Sequence, residues 1–133
     1  MSSSHIHISV TDSRLIRARL PARLGDKRLR ESTLILLSEL ERAIIIADEA
    51  LPPGVVALRS SVELEDLDSK ERERYVLVLS ADEETPETAL SVFSPLGTAL
   101  LGYRAGDELA WRMPGGVRRL RILTVGQPVP LSC

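Results

Sequence analysis

Cysteine is almost absent from this chain of 133 residues, since the only one is Cys133. A single cysteine excludes an internal disulfide and leaves no cysteine-based zinc site. Aromatic residues are also scarce, at 3%, so the core has to be built from aliphatic side chains. From this composition we expect a protein of a reduced, cytoplasmic compartment, with neither a metal ion nor a cofactor.

Long hydrophobic runs and an excess of one charge are missing as well. No apolar run approaches the roughly 18 residues that indicate a membrane-spanning helix, so we expect no membrane partner. The 17 basic and 19 acidic side chains nearly cancel. This balance indicates no overall attraction to nucleic acid or to a membrane surface.

The basic residues are nevertheless concentrated in one segment. Between Asp12 and Arg30 the chain has seven basic residues and two acidic ones. The pattern fits a solvated helix face, a surface steered toward an acidic partner, or a nucleic-acid patch. Because this segment contains no aromatic residue, we predict no stacking on bases and no sequence-specific nucleic-acid binding.

The N-terminal third predicts a short strand followed by a helical hairpin. Residues 5–10 alternate between polar and apolar, as a half-buried strand does. A first helix follows, and Pro21 is expected to break it. A second helix is predicted from Lys27 to Ala50, antiparallel to the first, with the tip of the hairpin near residues 20–28. Its apolar seam has helical spacing: Leu37, Leu40, Ile44, Ala47 and Leu51.

A proline-rich break divides the chain. Leu51-Pro52-Pro53-Gly54 ends the hairpin and is the best boundary signal in the sequence. Three strands are predicted in the segment after it: 55–58, 62–67 and 74–81. The predicted α+β organisation has three parts: a strand and helical hairpin at 1–53, an antiparallel β-domain with one short helix at 54–127, and an irregular tail at 128–133.

The densest local signals surround one short helix. After a predicted strand at 90–93, Ser94 is a suitable N-cap. Pro95 then falls at the first helical position, where its missing N–H is not needed. Gly102 is placed to end the helix. Further along, 108–113 and 117–125 are predicted strands, and the Pro-Gly-Gly between them indicates a hairpin.

These motifs, taken in order, resemble a known domain. They are the S-P-L-G-x-A-L-L-G of residues 94–102, the G-D of 106–107 and the P-G-G-V of 114–117. With the S-x-V-x-L-x-x-L of 60–67, they resemble the C-terminal domain of the transcript-cleavage factors GreA and GreB over about residues 55–126. The resemblance implies an FKBP-like fold for this part and a truncated coiled coil for the hairpin.

The hairpin departs from the GreA and GreB pattern, in which a long arm carries acidic residues that help RNA polymerase hold a second magnesium ion. Here the predicted second helix of about 24 residues spans at most about 36 Å. Its tip, formed by Arg23, Asp26, Lys27 and Arg28, has one acid among three cations. A short arm on this domain resembles the Rnk family, named for regulation of nucleoside diphosphate kinase.

The Rnk resemblance implies a non-enzymatic regulator that binds core RNA polymerase near the secondary channel and competes with Gre factors without stimulating cleavage. One alternative is a Gre-type cleavage factor with a shortened arm. Another is a peptidyl-prolyl isomerase, whose pocket would draw on four aromatic residues: Tyr75, Phe93, Tyr103 and Trp111. The oligomeric state stays open.

In the Gre family the surface around the S-P-L-G turn contacts the rim of the polymerase channel. The resemblance therefore assigns Phe93, Ser94, Pro95 and Leu96 to docking. The residues also allow a structural interpretation, in which Ser94 and Pro95 only cap a helix and Leu96 fills the core. The docking interpretation predicts that Pro95→Ala combined with Leu96→Asp abolishes polymerase binding and leaves the fold intact.

Overall fold

The computed structural model describes residues 6–25, 27, 30–79, 88–113 and 115–126, without the side chains of 21–23 and 111–113. The predicted tail at 128–133 lies outside these residues. The helices are α1 (Val10–Leu24), α2 (Arg30–Arg42) and α3 (Pro95–Leu100). The strands are β1 (His7–Ser9), β2 (Ile44–Ile46), β3 (Ser61–Asp66), β4 (Arg72–Val78), β5 (Ala89–Ser91), β6 (Glu108–Met113) and β7 (Gly116–Val125).

A five-stranded sheet forms the larger part of the fold, in the order β5-β4-β3-β7-β6. Its pairs are antiparallel except for β4 and β5, which run parallel. Val62 and Leu64 of β3 and Leu120 and Ile122 of β7 are buried on one face. The α+β class is therefore confirmed, whereas the expectation of a purely antiparallel sheet fails at the β4–β5 pair.

The second helix is shorter than predicted. It ends at Arg42, and Ile44–Ile46 forms β2, which pairs in parallel with β1. Three successive β-branched isoleucines lose rotamer freedom in a helix and favour an extended strand. The predicted seam is therefore wrong beyond Leu40, and the buried stripe of α2 is instead Ser32, Thr33, Leu36 and Leu40.

The first helix is longer than predicted. It continues through Pro21 and ends at Leu24. A proline inside a helix removes one backbone hydrogen bond, but Ile16 and Leu20 are buried on the inner side of α1 and hold it in place.

The segment 55–58 also differs from expectation. It is buried, but in the described residues it forms only an isolated bridge, between Val55 and Arg104, and no strand.

We call α1 and α2 the arm, and the five-stranded sheet with α3 the body. The arm packs directly on the body, since Ile16, Leu36 and Leu40 share one hydrophobic cluster with Phe93 and Leu100. A buried polar contact adds to this packing. Asp12 of α1 is 8% exposed, and its Oδ2 accepts a hydrogen bond from the backbone N–H of Leu58 at 3.0 Å. Burial raises the pKa of this carboxyl group, which the Leu58 N–H partly opposes.

Asp66 holds the turn between β3 and β4. Its Oδ1 accepts from the backbone N–H groups of Asp68 at 2.9 Å and Ser69 at 3.1 Å, and its Oδ2 accepts from Arg118 Nε at 2.9 Å. The Ser69 N–H, then Arg118 and the Asp68 N–H, hold the pKa of this carboxyl group below its usual 3.8.

We expect stability to depend on pH through Asp66. Because its pKa is lowered on folding, its ionised form stabilises the protein above pH 3.8, and this contribution is lost as the pH falls through the lowered pKa. Asp66→Asn keeps an oxygen acceptor but removes the charge. The difference in unfolding free energy between wild type and Asp66→Asn can be measured by urea titration from neutral pH downward. It should be largest near neutral pH and should disappear at acidic pH.

The matched control for this titration is Asp68→Asn. Asp68 lies in the same turn and pairs with Arg119 at 3.2 Å, but both side chains are more than half exposed, and exposed pairs contribute little. If the difference in unfolding free energy between wild type and Asp66→Asn stays constant as the pH falls, the Asp66 charge does not stabilise the turn.

Candidate functional site

The start of α3 is built as the sequence predicts. Ser94 has extended backbone angles (φ −75°, ψ 160°), and its Oγ accepts a hydrogen bond from Gly97 N at 3.1 Å. The same Oγ donates to the carbonyl of Ser91 at 2.6 Å. Pro95 occupies the beginning of the helix. We call residues 93–97 the capped turn, and both bonds of Ser94 restrict its conformation.

Two glycines of the motif are required by close contacts. A Cβ on Gly97 would lie 2.0 Å from the carbonyl oxygen of Ser91. Gly102 ends the helix with a φ of +86°, and a Cβ there would lie 2.6 Å from Cβ of Ile6. Gly102 ends the helix as predicted, through its positive φ, whereas Gly97 is required because a Cβ has no space there.

The structure divides the four residues assigned to docking into two pairs. Phe93 is 0% exposed and Leu96 is 4% exposed, so both side chains belong to the core. Pro95 is exposed and Ser94 is half-buried. Of the four, only Ser94 and Pro95 therefore offer side-chain surface to a partner. Phe93 and Leu96 instead pack into the core and hold the capped turn in place.

Two buried hydroxyl groups, one from the arm and one from α3, donate hydrogen bonds to backbone carbonyls at the start of the capped turn. Ser32 of α2 donates its Oγ proton to the carbonyl of Phe93 at 2.7 Å, and Thr98 Oγ1 donates to the carbonyl of Val92 at 2.8 Å. The contact between Ser32 and Phe93 joins residues 61 positions apart. Sequence reasoning missed Ser32, because no local pattern marks a hydrogen bond between residues so far apart.

The residues predicted for the arm tip are only partly described. Arg23 lies near the end of α1, in a stretch whose side chains are not described, and Asp26 and Arg28 lie outside the described residues. Lys27 is exposed. In the described part of the chain, no group of three or more potential metal ligands comes together.

Three of the four aromatic residues named for an isomerase pocket have described side chains, whereas that of Trp111 lies outside the described part. Phe93 is fully buried, and Tyr75 and Tyr103 are half-buried beside the core. Burial raises the pKa of both tyrosines, and the carboxylates Glu73 and Glu39, respectively, act in the same direction. The interpretation as a peptidyl-prolyl isomerase gains no support from these positions.

None of the described helices is both long and apolar enough to cross a bilayer. What the described fold and site define is a small α+β protein that presents a helix start capped by hydrogen bonds. A family model described as "Transcription elongation factor, GreA/GreB, C-term" matches residues 51–127, and the chain belongs to this family. The resemblance inferred from the motifs is therefore confirmed.

Within this family the chain is similar to the "Regulator of nucleoside diphosphate kinase" of Escherichia coli (strain K12), with 42% identity over 82 residues. The match covers 62% of this chain and 60% of that protein. "Transcription elongation factor GreA" of Geobacillus kaustophilus is 38% identical over 96 residues, 71% of this chain and 61% of that protein. The chain thus spans about three fifths of the length of these curated relatives.

A solved structure extends the comparison to the arm. It is titled "Prokaryotic transcription elongation factor GreA/GreB from Nitrosomonas europaea" and superposes with a TM-score of 0.76 at 34% identity. The superposition covers 94% of this chain and 100% of the other. The superposition therefore takes in residues of the arm as well as of the body.

Proposed function

We propose that this protein is a non-enzymatic transcription regulator that binds RNA polymerase at the rim of the secondary channel. It docks through the surface that presents Ser94 and Pro95, competes there with Gre factors, and does not stimulate transcript cleavage. The observation that carries this proposal is the combination of a hydrogen-bonded capped turn that exposes Pro95 with an arm whose second helix has 13 residues, in a chain of the GreA/GreB family.

The capped turn suits docking because it is held before a partner arrives. Ser94 is fixed by Gly97 N and by the Ser91 carbonyl, and Ser32 fixes the backbone of Phe93 from the arm side. Pro95 has a restricted φ and stays exposed. A surface that is ordered in the free protein loses little conformational entropy on binding, which favours affinity.

The length of the arm argues against cleavage. At 1.5 Å per residue, the 13 residues of α2 extend about 20 Å, which is shorter than the sequence pattern predicted. The stripe that includes Leu36 and Leu40 belongs to the hydrophobic cluster that α1 and the body share. In sequence, the tip has Asp26 as its one acid among Arg23, Lys27 and Arg28. Cations beside a lone carboxylate disfavour the binding of Mg²⁺.

Pro95→Asp is expected to weaken binding to core polymerase at least about tenfold, which corresponds to about 1.4 kcal/mol. The substitution replaces the exposed apolar ring with a charge, while an acidic residue at a helix start is well tolerated. The dissociation constants of wild type and variant can be compared by surface plasmon resonance on immobilised core polymerase.

Val117→Asp is the matched control, because Val117 is 53% exposed at the start of β7 and its substitution introduces the same charge. It should bind as the wild type does, and thermal unfolding should confirm that both variants are folded. If folded Pro95→Asp binds as tightly as wild type, the docking surface has been placed wrongly.

A further inference from the structure

Several hydrogen bonds of the capped turn are local. Ser94 donates from both its backbone N–H and its Oγ to the carbonyl of Ser91, at 3.0 and 2.6 Å. Phe93 N donates to Ser91 Oγ at 3.1 Å. Gly97 N donates to Ser94 Oγ at 3.1 Å. These bonds join residues within one short segment, so they shape the turn without connecting it to the arm.

Ser32 of α2 connects the capped turn to the arm. Its Oγ donates to the carbonyl of Phe93 at 2.7 Å, and both residues are buried. The backbone carbonyl of Ser32 lies 3.5 Å from Oγ1 of Thr98 in α3. One residue of the arm therefore contacts the capped turn at its first residue and α3 just beyond the last residue of the turn.

The bond from Ser32 fixes the peptide group that leads into the N-cap. The carbonyl of Phe93 and the N–H of Ser94 belong to one planar peptide group. Rotation of this group would turn the carbonyl away from Ser32 and, at the same time, the N–H away from its acceptor on Ser91. The donor on the arm therefore restricts the direction in which Ser94 and Pro95 are presented.

The neighbouring residue of α2 provides an internal comparison. Thr33 is also buried, but its Oγ1 has no hydrogen-bond partner among the described residues. A buried hydroxyl group without a partner loses its hydration and gains no hydrogen bond in return. Of two adjacent buried hydroxyl groups, that of Ser32 thus reaches the capped turn, whereas that of Thr33 does not.

We propose that the arm regulates docking at the capped turn through Ser32. This inference rests on the proposed function, in which Ser94 and Pro95 contact the partner. Ser32 is a positioning residue, because it is buried and acts on the partner only through the carbonyl of Phe93. When this hydrogen bond is lost, a smaller fraction of the protein holds the turn in the orientation that binds, and the measured affinity falls by that fraction.

The first test follows the turn without polymerase, through amide hydrogen exchange of the full chain measured by NMR. Ser32→Ala should speed exchange of the Ser94 amide at least about tenfold. It should have a smaller effect on the Ile122 amide, which donates to Asp107 in the sheet. Equal increases at Ser94 and Ile122, or no increase at Ser94, would show that Ser32 does not position the turn and would overturn the proposal.

Thr33→Val is the matched control for this measurement. It also removes one buried hydroxyl group from α2, and it should leave exchange at Ser94 unchanged because the Thr33 hydroxyl does not reach the turn. Circular dichroism should show that both variants are folded. Exchange at Ser94 that rises equally in Thr33→Val and Ser32→Ala would assign the effect to packing of the arm and overturn the proposal.

The second test measures binding to immobilised core polymerase. Ser32→Ala should weaken binding at least about fivefold, and Thr33→Val should bind as wild type does. Ser32→Ala combined with Pro95→Asp should lose less than the product of the two separate losses, because both act on one contact. Losses that multiply would overturn the proposal.

The two proposals fail in different ways in this binding test. Wild-type affinity of Ser32→Ala beside weakened binding of Pro95→Asp would overturn the regulation by the arm and leave the docking surface in place. Wild-type affinity of Pro95→Asp would contradict the docking surface, and the regulation of docking would fail with it.

Discussion

Leu96→Asp is expected to leave the protein without a cooperative folded state. Leu96 is 4% exposed and belongs to the hydrophobic cluster that joins arm and body. The substitution removes about 2 kcal/mol of apolar burial and places a carboxyl group in the core at a cost of about 2–7 kcal/mol. Domains of this size are stable by only about 5–15 kcal/mol, so the loss is comparable to the whole stability.

Thermal unfolding followed by circular dichroism measures this effect, and Pro95→Asp is the matched control. It introduces the same carboxyl group one residue earlier, at an exposed position. We expect Pro95→Asp to unfold cooperatively within a few degrees of wild type and Leu96→Asp to show no such transition. A wild-type melting curve for Leu96→Asp would place this side chain at the surface and return it to the docking site.

The burial of Leu96 also changes how the docking hypothesis can be tested. The double variant Pro95→Ala with Leu96→Asp was predicted from the sequence to lose binding with the fold intact. With Leu96 in the core, such a variant loses binding because it unfolds, whether or not the capped turn docks. Pro95→Asp separates the two effects because it changes only exposed surface.

Gly97→Ala is expected to destabilise the protein by about 1–3 kcal/mol or more. Helix propensity alone predicts the opposite, since alanine is favoured over glycine by about 1 kcal/mol inside a helix. Here the steric overlap outweighs the helix propensity, so the substitution lowers the stability. The added Cβ would lie 2.0 Å from the Ser91 carbonyl oxygen and 2.8 Å from its carbon, and backbone atoms cannot move aside as the end of a flexible side chain can.

Urea unfolding of Gly97→Ala and of Ala99→Gly in the same helix checks this account. Ala99→Gly should cost about 1 kcal/mol, which is the propensity difference alone. Gly97→Ala should cost clearly more, although its propensity change has the favourable sign. A Gly97→Ala variant that is as stable as wild type, or more stable, would show that the capped turn has room to move away from Ser91.

Local sequence signals correctly predicted those parts of the fold that depend on neighbouring residues. Ser94 and Pro95 start a helix because a hydroxyl cap and a restricted φ act within one turn. The hairpin of β6 and β7 was predictable for the same reason, because positive φ values occur at Gly115, between the strands, and at Gly116, the first residue of β7. Such elements need no knowledge of the rest of the chain.

Elements that depend on distant partners were predicted less well. Ile44 and Ile45 continued a helical spacing in sequence, but they pair with β1, more than thirty residues earlier. Periodicity records the spacing of apolar residues and not whether a strand is available to pair with them. The parallel pairing of β4 and β5 was missed for the same reason.

The candidate site shows where sequence reasoning stops. The motif located the capped turn, but it could not separate Leu96, which is buried, from Pro95, which is exposed. A helix of six residues makes fewer than two turns, which is too short for its spacing to show which side packs on the core. Ser32 escaped notice because its hydrogen bond to Phe93 joins two parts of the chain that share no local pattern. Tertiary packing determines both the burial of Leu96 and the contact of Ser32 with Phe93.

The most direct test of polymerase docking is a binding measurement between the full chain and core polymerase with GreA as competitor, in which RNA length in a stalled complex is followed in the same samples. We predict that the protein binds, that GreA displaces it, and that it does not shorten the RNA. Absence of binding, binding that GreA does not displace, or RNA shortened by this protein alone would contradict the proposed function.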